Sequence, residues 1–303
     1  MTAKIIDGRS VSAQLRLGQI ERVRSLASNH GVVPGLAVIL VGGDPASAVY
    51  VRNKIRACEA VGIASQSHQL PPDVTNETLL SLVDKLNANR SVHGILIQLP
   101  LPLQIALANV LERISIDKDV DGFHLYNVGA LVTGTTIFSP CTPFGVVKLL
   151  ESQGIPVEGQ NVIIVGASNI VGKPMALMLM AREATVAICH AKTRDLAQFT
   201  ILADILVVAA GVPGLISPAM VKTGAVVIDV GINRLPDGSL QGDVDFEGVK
   251  RKASYITPVP GGVGPMTVTM LLENTIVSAE RSVLSKAISF HTKSQGASLE
   301  SAE

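Results

Sequence analysis

Ser47, Tyr50 and Lys54 follow Pro45 at spacings of three and four, which places them on one face of a helix. A lysine beside a tyrosine in a partly buried cleft can have its pKa lowered and can move protons. For Tyr-x-x-x-Lys taken alone, the alternative is a lysine whose stem covers the ring while its head stays in water. A second constellation, Gly166-Ala167-Ser168-Asn169-Ile170-Val171-Gly172-Lys173-Pro174, directly follows the apolar run 162–165. A glycine turn between strand and helix lets backbone N–H groups approach a phosphate at the helix N-terminus. The spacing departs from G-x-G-x-x-G, with Ser168 where the second glycine would stand, and an ordinary strand-to-helix turn is the alternative. The next apolar run ends in Cys189-His190-Ala191-Lys192-Thr193-Arg194, with no acid before Asp195. An acid there would bind the ribose 2′-hydroxyl of NAD. Lys192 and Arg194 instead suit a 2′-phosphate, and so NADP, or form a solvated basic loop.

Two further segments carry unusual chemistry. Asp117-Lys118-Asp119-Val120-Asp121-Gly122 starts like an EF-hand loop, but the twelfth position is Val128 rather than Glu, so the bidentate Ca²⁺ ligand is missing. A carboxylate beside a glycine turn can pair with donors on a heterocycle, or simply cap the turn. Pro258-Val259-Pro260-Gly261-Gly262-Val263-Gly264-Pro265 is a shaped loop whose backbone can pack closely against a flat ligand, with Pro265 suited to a first helical position. The six histidines show no ligand spacing, which predicts no metal site.

The elements that must position these residues read as alternating strands and helices, an α/β pattern. Strands are predicted at 35–41, 94–98, 162–165, 185–189, 205–209 and 225–230. Helices are predicted at 46–61, 79–87, 174–181 and 266–281. A domain boundary is expected in the Gly-, Thr- and Pro-rich stretch 133–143, and the small polar residues from 289 read as a tail. Of the 303 residues, 47% are hydrophobic but only 3% aromatic, so the core must be aliphatic, as in buried parallel sheets. Lys plus Arg and Asp plus Glu are 25 each, a balance that argues against nucleic-acid or anionic-membrane partners. Three widely spaced cysteines do not make a disulfide framework. No apolar run reaches the length of a membrane span and the start has no secretory h-region, so a cytoplasmic protein is expected.

In unbroken order, residues 42–54 (GGDPASAVYVRNK), 98–102 (QLPLP), 117–123 (DKDVDGF), 140–143 (PCTP), 166–174, 231–233 (GIN), 242–244 (GDV) and 260–267 (PGGVGPMT) resemble one family. It is the bifunctional methylenetetrahydrofolate dehydrogenase / methenyltetrahydrofolate cyclohydrolase family. The resemblance implies an α/β fold of two domains, with the active-site cleft between them. The first is an N-terminal folate-binding catalytic domain at 1–140, with a C-terminal helix 266–285 packing back on it. The second is a Rossmann-like NADP-binding domain at 141–265, and 289–303 would be a flexible tail. It further implies NADP-dependent oxidation of methylene-tetrahydrofolate, then hydrolysis of the methenyl cation to formyl-tetrahydrofolate in the same cleft. By resemblance Lys54 is the key catalytic group, flanked by Tyr50 and Gln98. Asp121 holds the pterin, and Ser47, Pro260, Gly261 and Gly262 also meet substrate. Gly166, Ala167, Ser168, Gly172, Ala191, Lys192, Arg194 and Ile232 face the cofactor. The family is commonly homodimeric. Many members carry Arg where this chain has Ala167 and Ser where it has Ala191. Both changes remove a phosphate contact that Lys173, Lys192 or Arg194 can replace. Two rival readings are a monofunctional NAD-dependent dehydrogenase and a dinucleotide-binding regulatory protein without turnover.

Overall fold

The structure is a computed structural model that describes residues 2–300, apart from the side chains of residues 46 and 286–300. Along the first half the elements are β1 (Lys4–Ile5), α1 (Gly8–His30), β2 (Gly35–Val41), α2 (Pro45–Val61), β3 (Ala64–Leu70), α3 (Asn76–Ala88), β4 (Gly94–Ile97), α4 (Leu107–Arg113), α5 (Leu125–Thr133) and α6 (Cys141–Ser152). They continue with β5 (Asn161–Val165), α7 (Gly172–Met180), β6 (Thr185–Cys189), α8 (Leu196–Thr200), β7 (Ile205–Val208), β8 (Val226–Asp229), β9 (Asn233–Arg234), β10 (Leu240–Gln241), α9 (Phe246–Val249), β11 (Tyr255–Ile256) and α10 (Val263–Glu300).

The chain forms two compact units, one of residues 16–124 and 271–303, the other of residues 1–15 and 125–270. The first unit is built on a parallel sheet in the order β3-β2-β4. Strand β2 is buried along its whole length, which explains its unbroken apolar run. Ala37, Ile39 and Val41 of β2 and Ile95 and Ile97 of β4 meet Leu79, Val83 and Leu86 of α3 and Val110 of α4 in one aliphatic core. Helix α10 docks through polar contacts: Asn274 Nδ2 donates to Val120 O at 2.8 Å, and the Ser278 hydroxyl lies 2.6 Å from His93 O and 2.7 Å from Asp117 O. Arg22 of α1 pairs with both Glu273 and Glu280 of α10.

The second unit holds a six-stranded parallel sheet in the order β1-β11-β8-β7-β5-β6. Counted from β5, the strand order is 2-1-3-4-5, and the winding reverses between β5 and β7. Ligands of open α/β sheets bind outside the carboxyl ends of the strands at such a reversal. Helix α7 packs on β5 and β6 and against α5 and α6.

This division differs from a boundary at residue 140. Residues 1–15 lie in the second unit because β1 pairs in parallel with β11, Lys4 opposite Tyr255. Residues 125–140 join the same unit because α5 packs against α7. The stretch 133–143 is only partly a loop, since Cys141 opens α6. The backbone of residues 289–300 continues α10; the side chains there and residues 301–303, part of the expected tail, lie outside the described residues.

Candidate active site

In the first unit, Gly42 adopts φ +88 and turns the chain out of β2. Asp44 then caps α2 by accepting the Ser47 N–H at 2.8 Å, and Pro45 occupies the first turn. The helix ends at Gly62, whose left-handed conformation lets its N–H reach the Cys58 and Glu59 carbonyls. The face bearing Ser47, Tyr50 and Lys54 is thereby fixed: Ser47 is buried, Lys54 partly buried and Tyr50 exposed. Lys54 Nζ donates to Gln98 Oε1 at 3.0 Å. Gln98 is the first residue past β4; its N–H continues the sheet ladder to Ile39 O at 2.8 Å, and its Nε2 donates to Leu99 O at 2.8 Å. With the amide nitrogen committed, the amide oxygen is the atom presented to Lys54. The structure thus joins Lys54 to Gln98 directly, with Tyr50 one turn earlier on the same helix.

Two aspartates of the loop after α4 have different jobs. Asp119 is 1% exposed and accepts the N–H groups of Phe123 at 3.2 Å and His124 at 2.8 Å, so it caps the turn. Gly122 at φ +75 makes that turn possible. Asp121 stays partly buried at the turn's apex. Lys118 anchors the loop by donating to the carbonyls of Leu86, Asn87 and Asn89 at the end of α3, and burial lowers its pKa. No metal-holding cluster of His, Cys, Asp or Glu occurs among the described residues.

In the second unit, the glycine turn sits at the carboxyl end of β5. Gly166 has φ +126, and a Cβ there would lie 2.1 Å from Ala209 O in the loop after β7. A Cβ on Gly172 would lie 1.9 Å from Gly166 O. Both glycines are therefore demanded by backbone approach, the first to the neighbouring strand end and the second to the turn itself. Ser168 Oγ accepts the N–H groups of Val171 at 3.1 Å and Gly172 at 3.4 Å, which closes the turn onto α7. Its hydroxyl proton is still available to an acceptor. Lys173 Nζ donates to Asn169 Oδ1 at 2.7 Å. Past β6, Thr193 Oγ1 accepts the His190 N–H at 2.9 Å and His190 Nδ1 accepts the Lys192 N–H at 3.1 Å. This small turn leaves Ala191, Lys192 and Arg194 exposed at the strand end.

Ile232 lies just past β8, partly in contact with the proline–glycine loop, where a Cβ on Gly264 would sit 3.6 Å from Ile232 Cδ1. In that loop Gly261 has φ +113 and its carbonyl accepts the Arg9 N–H at 3.2 Å. A Cβ on Gly262 would lie 2.6 Å from Pro258 O, and one on Gly8 would lie 1.7 Å from Gly262 O. Packing of the loop on itself and on the start of α1 therefore already requires glycine at 261 and 262. Pro260 precedes them at the loop's surface.

Composition and spacing do not disclose the buried acids beneath these loops. Asp229 accepts the N–H groups of Gly231 and Asp243 at 3.0 Å each, and of Val244 at 3.0 Å. Burial, opposed by these hydrogen bonds, pushes its carboxyl up to about 6. Asp243 accepts from Ala210 N at 2.7 Å, Gly211 N at 2.8 Å and Asn233 Nδ2 at 2.8 Å. The signals the sequence offers are an acid closing an apolar strand run before a glycine, in VVIDVG, and an acid directly after a glycine, in QGDV.

Residues 6–121 match the family model of the tetrahydrofolate dehydrogenase/cyclohydrolase catalytic domain, and residues 140–283 match that of the NAD(P)-binding domain. The chain is 59% identical over 281 residues to the bifunctional protein FolD of Nitrosospira multiformis, covering 93% of this chain and 97% of that protein. Among solved structures, the bifunctional FolD methylenetetrahydrofolate dehydrogenase/cyclohydrolase of Campylobacter jejuni superposes with a TM-score of 0.91 at 52% identity, over 92% of this chain and 99% of that one. The Trypanosoma brucei N5,N10-methylenetetrahydrofolate dehydrogenase-cyclohydrolase, complexed with NADP cofactor and inhibitor, superposes with a TM-score of 0.90 at 40% identity, over 93% and 99%. The chain belongs to the tetrahydrofolate dehydrogenase/cyclohydrolase family.

Proposed function

We propose that this protein oxidises methylene-tetrahydrofolate to methenyl-tetrahydrofolate with NADP⁺ and hydrolyses the product to formyl-tetrahydrofolate. The observation that carries the reading is the Lys54–Gln98 hydrogen bond, held by two secondary-structure elements in a chain whose family performs both steps. The residues of the second unit fit a dinucleotide: two glycines at close backbone approaches, a serine hydroxyl at the start of a helix, and Lys192 and Arg194 where an NAD site has its acid. When bound, NADP⁺ supplies the hydride acceptor. Gly166, Ser168 and Gly172 would hold its diphosphate and Lys192 and Arg194 its 2′-phosphate, while Ala167, Ala191 and Ile232 would face the cofactor through their backbone.

Asp121, in the first unit, accepts paired hydrogen bonds from the amino and ring N–H groups of the pterin. Ser47, Pro260, Gly261 and Gly262 are further substrate contacts. Oxidation removes one methylene hydrogen with its electron pair, and the remaining cation is stabilised by the two folate nitrogens. This step needs orientation more than acid–base help. In hydrolysis, water oxygen bonds to the methenyl carbon and becomes the formyl oxygen, and one C–N bond breaks. One of the water's two protons passes to the released nitrogen, and the other leaves to solvent with the cation's charge. Lys54, oriented by Gln98 and flanked by Tyr50, moves the proton bound for the nitrogen.

Asp121→Ala is expected to weaken folate affinity about thirtyfold, the loss of a charge-assisted pair of hydrogen bonds, with a smaller change in kcat. Calorimetric titration with tetrahydrofolate checks it, and parental affinity would remove Asp121 from this role. Lys192→Ala should raise the KM for NADP⁺ about tenfold and change that for NAD⁺ by less than about twofold. An equal rise for both would assign Lys192 to something other than the 2′-phosphate.

The reading extends to a homodimer. Its support is the family resemblance together with β3, a seven-residue strand at a sheet edge with no strand on its outer side among the described residues. Light scattering after size exclusion should return about twice 31.7 kDa, and a monomer mass would contradict it. A cytoplasmic location accords with three buried free thiols, and no helix among the described residues is long and apolar enough to cross a membrane.

A further inference from the structure

Asp243 is fully buried, and every hydrogen-bond donor the structure gives it is an amide N–H rather than a cation. A buried carboxylate without a cationic partner is costly, and an apolar side chain would serve a core at least as well. Its partners show what the charge is used for. Oδ2 gathers the N–H groups of Ala210 and Gly211, in the loop after β7, and Oδ1 accepts from Asn233, which opens β9 at the end of the loop after β8. Both segments lie past the carboxyl ends of adjacent strands, β7 at the winding reversal and β8 next to it. Ala209, the residue before this pair, is the one whose carbonyl abuts Gly166. Ile232 is flanked by Gly231, on whose open side the Asp243 carboxylate rests (a Cβ would lie 2.2 Å from its Cγ), and by Asn233. Asp229 fixes the arrangement from below, accepting the backbone N–H groups of Gly231, Asp243 and Val244. Gly242 leaves room for it, since a Cβ there would lie 1.9 Å from Asp229 Oδ2. One carboxylate thus ties together the loop beneath the phosphate turn and the loop carrying Ile232.

We propose that Asp243 is a positioning residue for the dinucleotide, holding the loops after β7 and β8 in the shape that receives NADP⁺ without touching it. The proposal rests on the reading of this unit as the cofactor half. Its test is the near-isosteric Asp243→Asn, which keeps an oxygen for Ala210 and Gly211 but sets an NH₂ group against the Asn233 amide. Calorimetry should show NADP⁺ binding weakened about tenfold, while hydrolysis of methenyl-tetrahydrofolate without cofactor stays within about twofold of the parent. Unchanged NADP⁺ affinity would overturn the proposal. So would an equal fall in NADP⁺ binding and hydrolysis with a lowered Tm, the mark of a residue that only supports the fold. If Asp243→Asn does not yield folded protein, Asn233→Ala removes one of the three donors from a partly exposed position. It should weaken NADP⁺ about threefold, and parental affinity there also overturns the proposal. Parent protein with no affinity for NADP⁺ would overturn the cofactor reading and this proposal with it, whereas parental affinity matched by Asp243→Asn would overturn this proposal alone.

Discussion

Lys54→Met is expected to lower the rate of methenyl-tetrahydrofolate hydrolysis about a thousandfold while leaving the protein folded. A positioned proton-transfer group contributes about a hundredfold to ten-thousandfold, and Met keeps the length and apolar stem of Lys without the amine. The cost in stability should be within about 1 kcal/mol, because Lys54 is only partly buried and Gln98 stays tied to Ile39 and Leu99. Oxidation of methylene-tetrahydrofolate should fall much less, since that step asks for orientation rather than a proton. Separate initial rates for the two reactions check this. Hydrolysis at the parental rate would take Lys54 out of the mechanism, and loss of both activities with a lowered Tm would make it a folding residue. Gln98→Ala is informative beside it: losing the amide oxygen loosens the orientation of the amine without removing it.

The converse separation is expected from Gly166→Ala. A single methyl group at φ +126 meets Ala209 O at 2.1 Å, so the turn and the end of β7 must part. Backbone strain and this overlap together cost about 3 kcal/mol, and the phosphate cradle is the segment that must move. NADP⁺ affinity should fall about a hundredfold, and oxidation with it. Hydrolysis depends on Lys54 and Gln98 of the other unit and should survive. NADP⁺ affinity within about threefold of the parent would show that the diphosphate does not rest on this turn.

Both substitutions fall in segments that the sequence marks plainly, and not every segment is so legible. Strand β2 and helix α2 can be read almost to the residue, because a glycine followed by six buried aliphatics and a Pro-to-Gly helix leave little choice. Strand β3, ASQSHQL, gives no strand signal: at a sheet edge with mostly exposed side chains, it lacks the apolar alternation that marks one. Strand β1 is hidden for another reason. Two residues pair with β11, more than two hundred positions away, and no local signal encodes that partner. It is also why the amino terminus belongs to the second unit. At the site, the Ser47–Tyr50–Lys54 face follows from helical spacing alone, but the tie to Gln98 comes only from resemblance, since the two are 44 residues apart. The roles of neighbouring aspartates are not separable by sequence. Asp119 and Asp121 share a motif, yet one is a buried cap and the other lies at the turn's apex. Glycines 261 and 262 suggest a ligand surface, and the fold supplies a packing reason for them without one. The roles of Asp229 and Asp243 cannot be read from the sequence, because a buried acid satisfied by amide N–H groups has no partner that spacing can reveal.

The measurement that bears most directly on the central reading is a spectrophotometric turnover assay on the parent protein. It receives methylene-tetrahydrofolate with NADP⁺ or NAD⁺, and in a separate sample methenyl-tetrahydrofolate alone. The expected result is NADP⁺-dependent formation of the methenyl species, together with decay of added methenyl-tetrahydrofolate faster than in buffer. Turnover with NAD⁺ only would contradict the assignment of Lys192 and Arg194 to a 2′-phosphate. Cofactor binding without either reaction would contradict the enzyme reading itself.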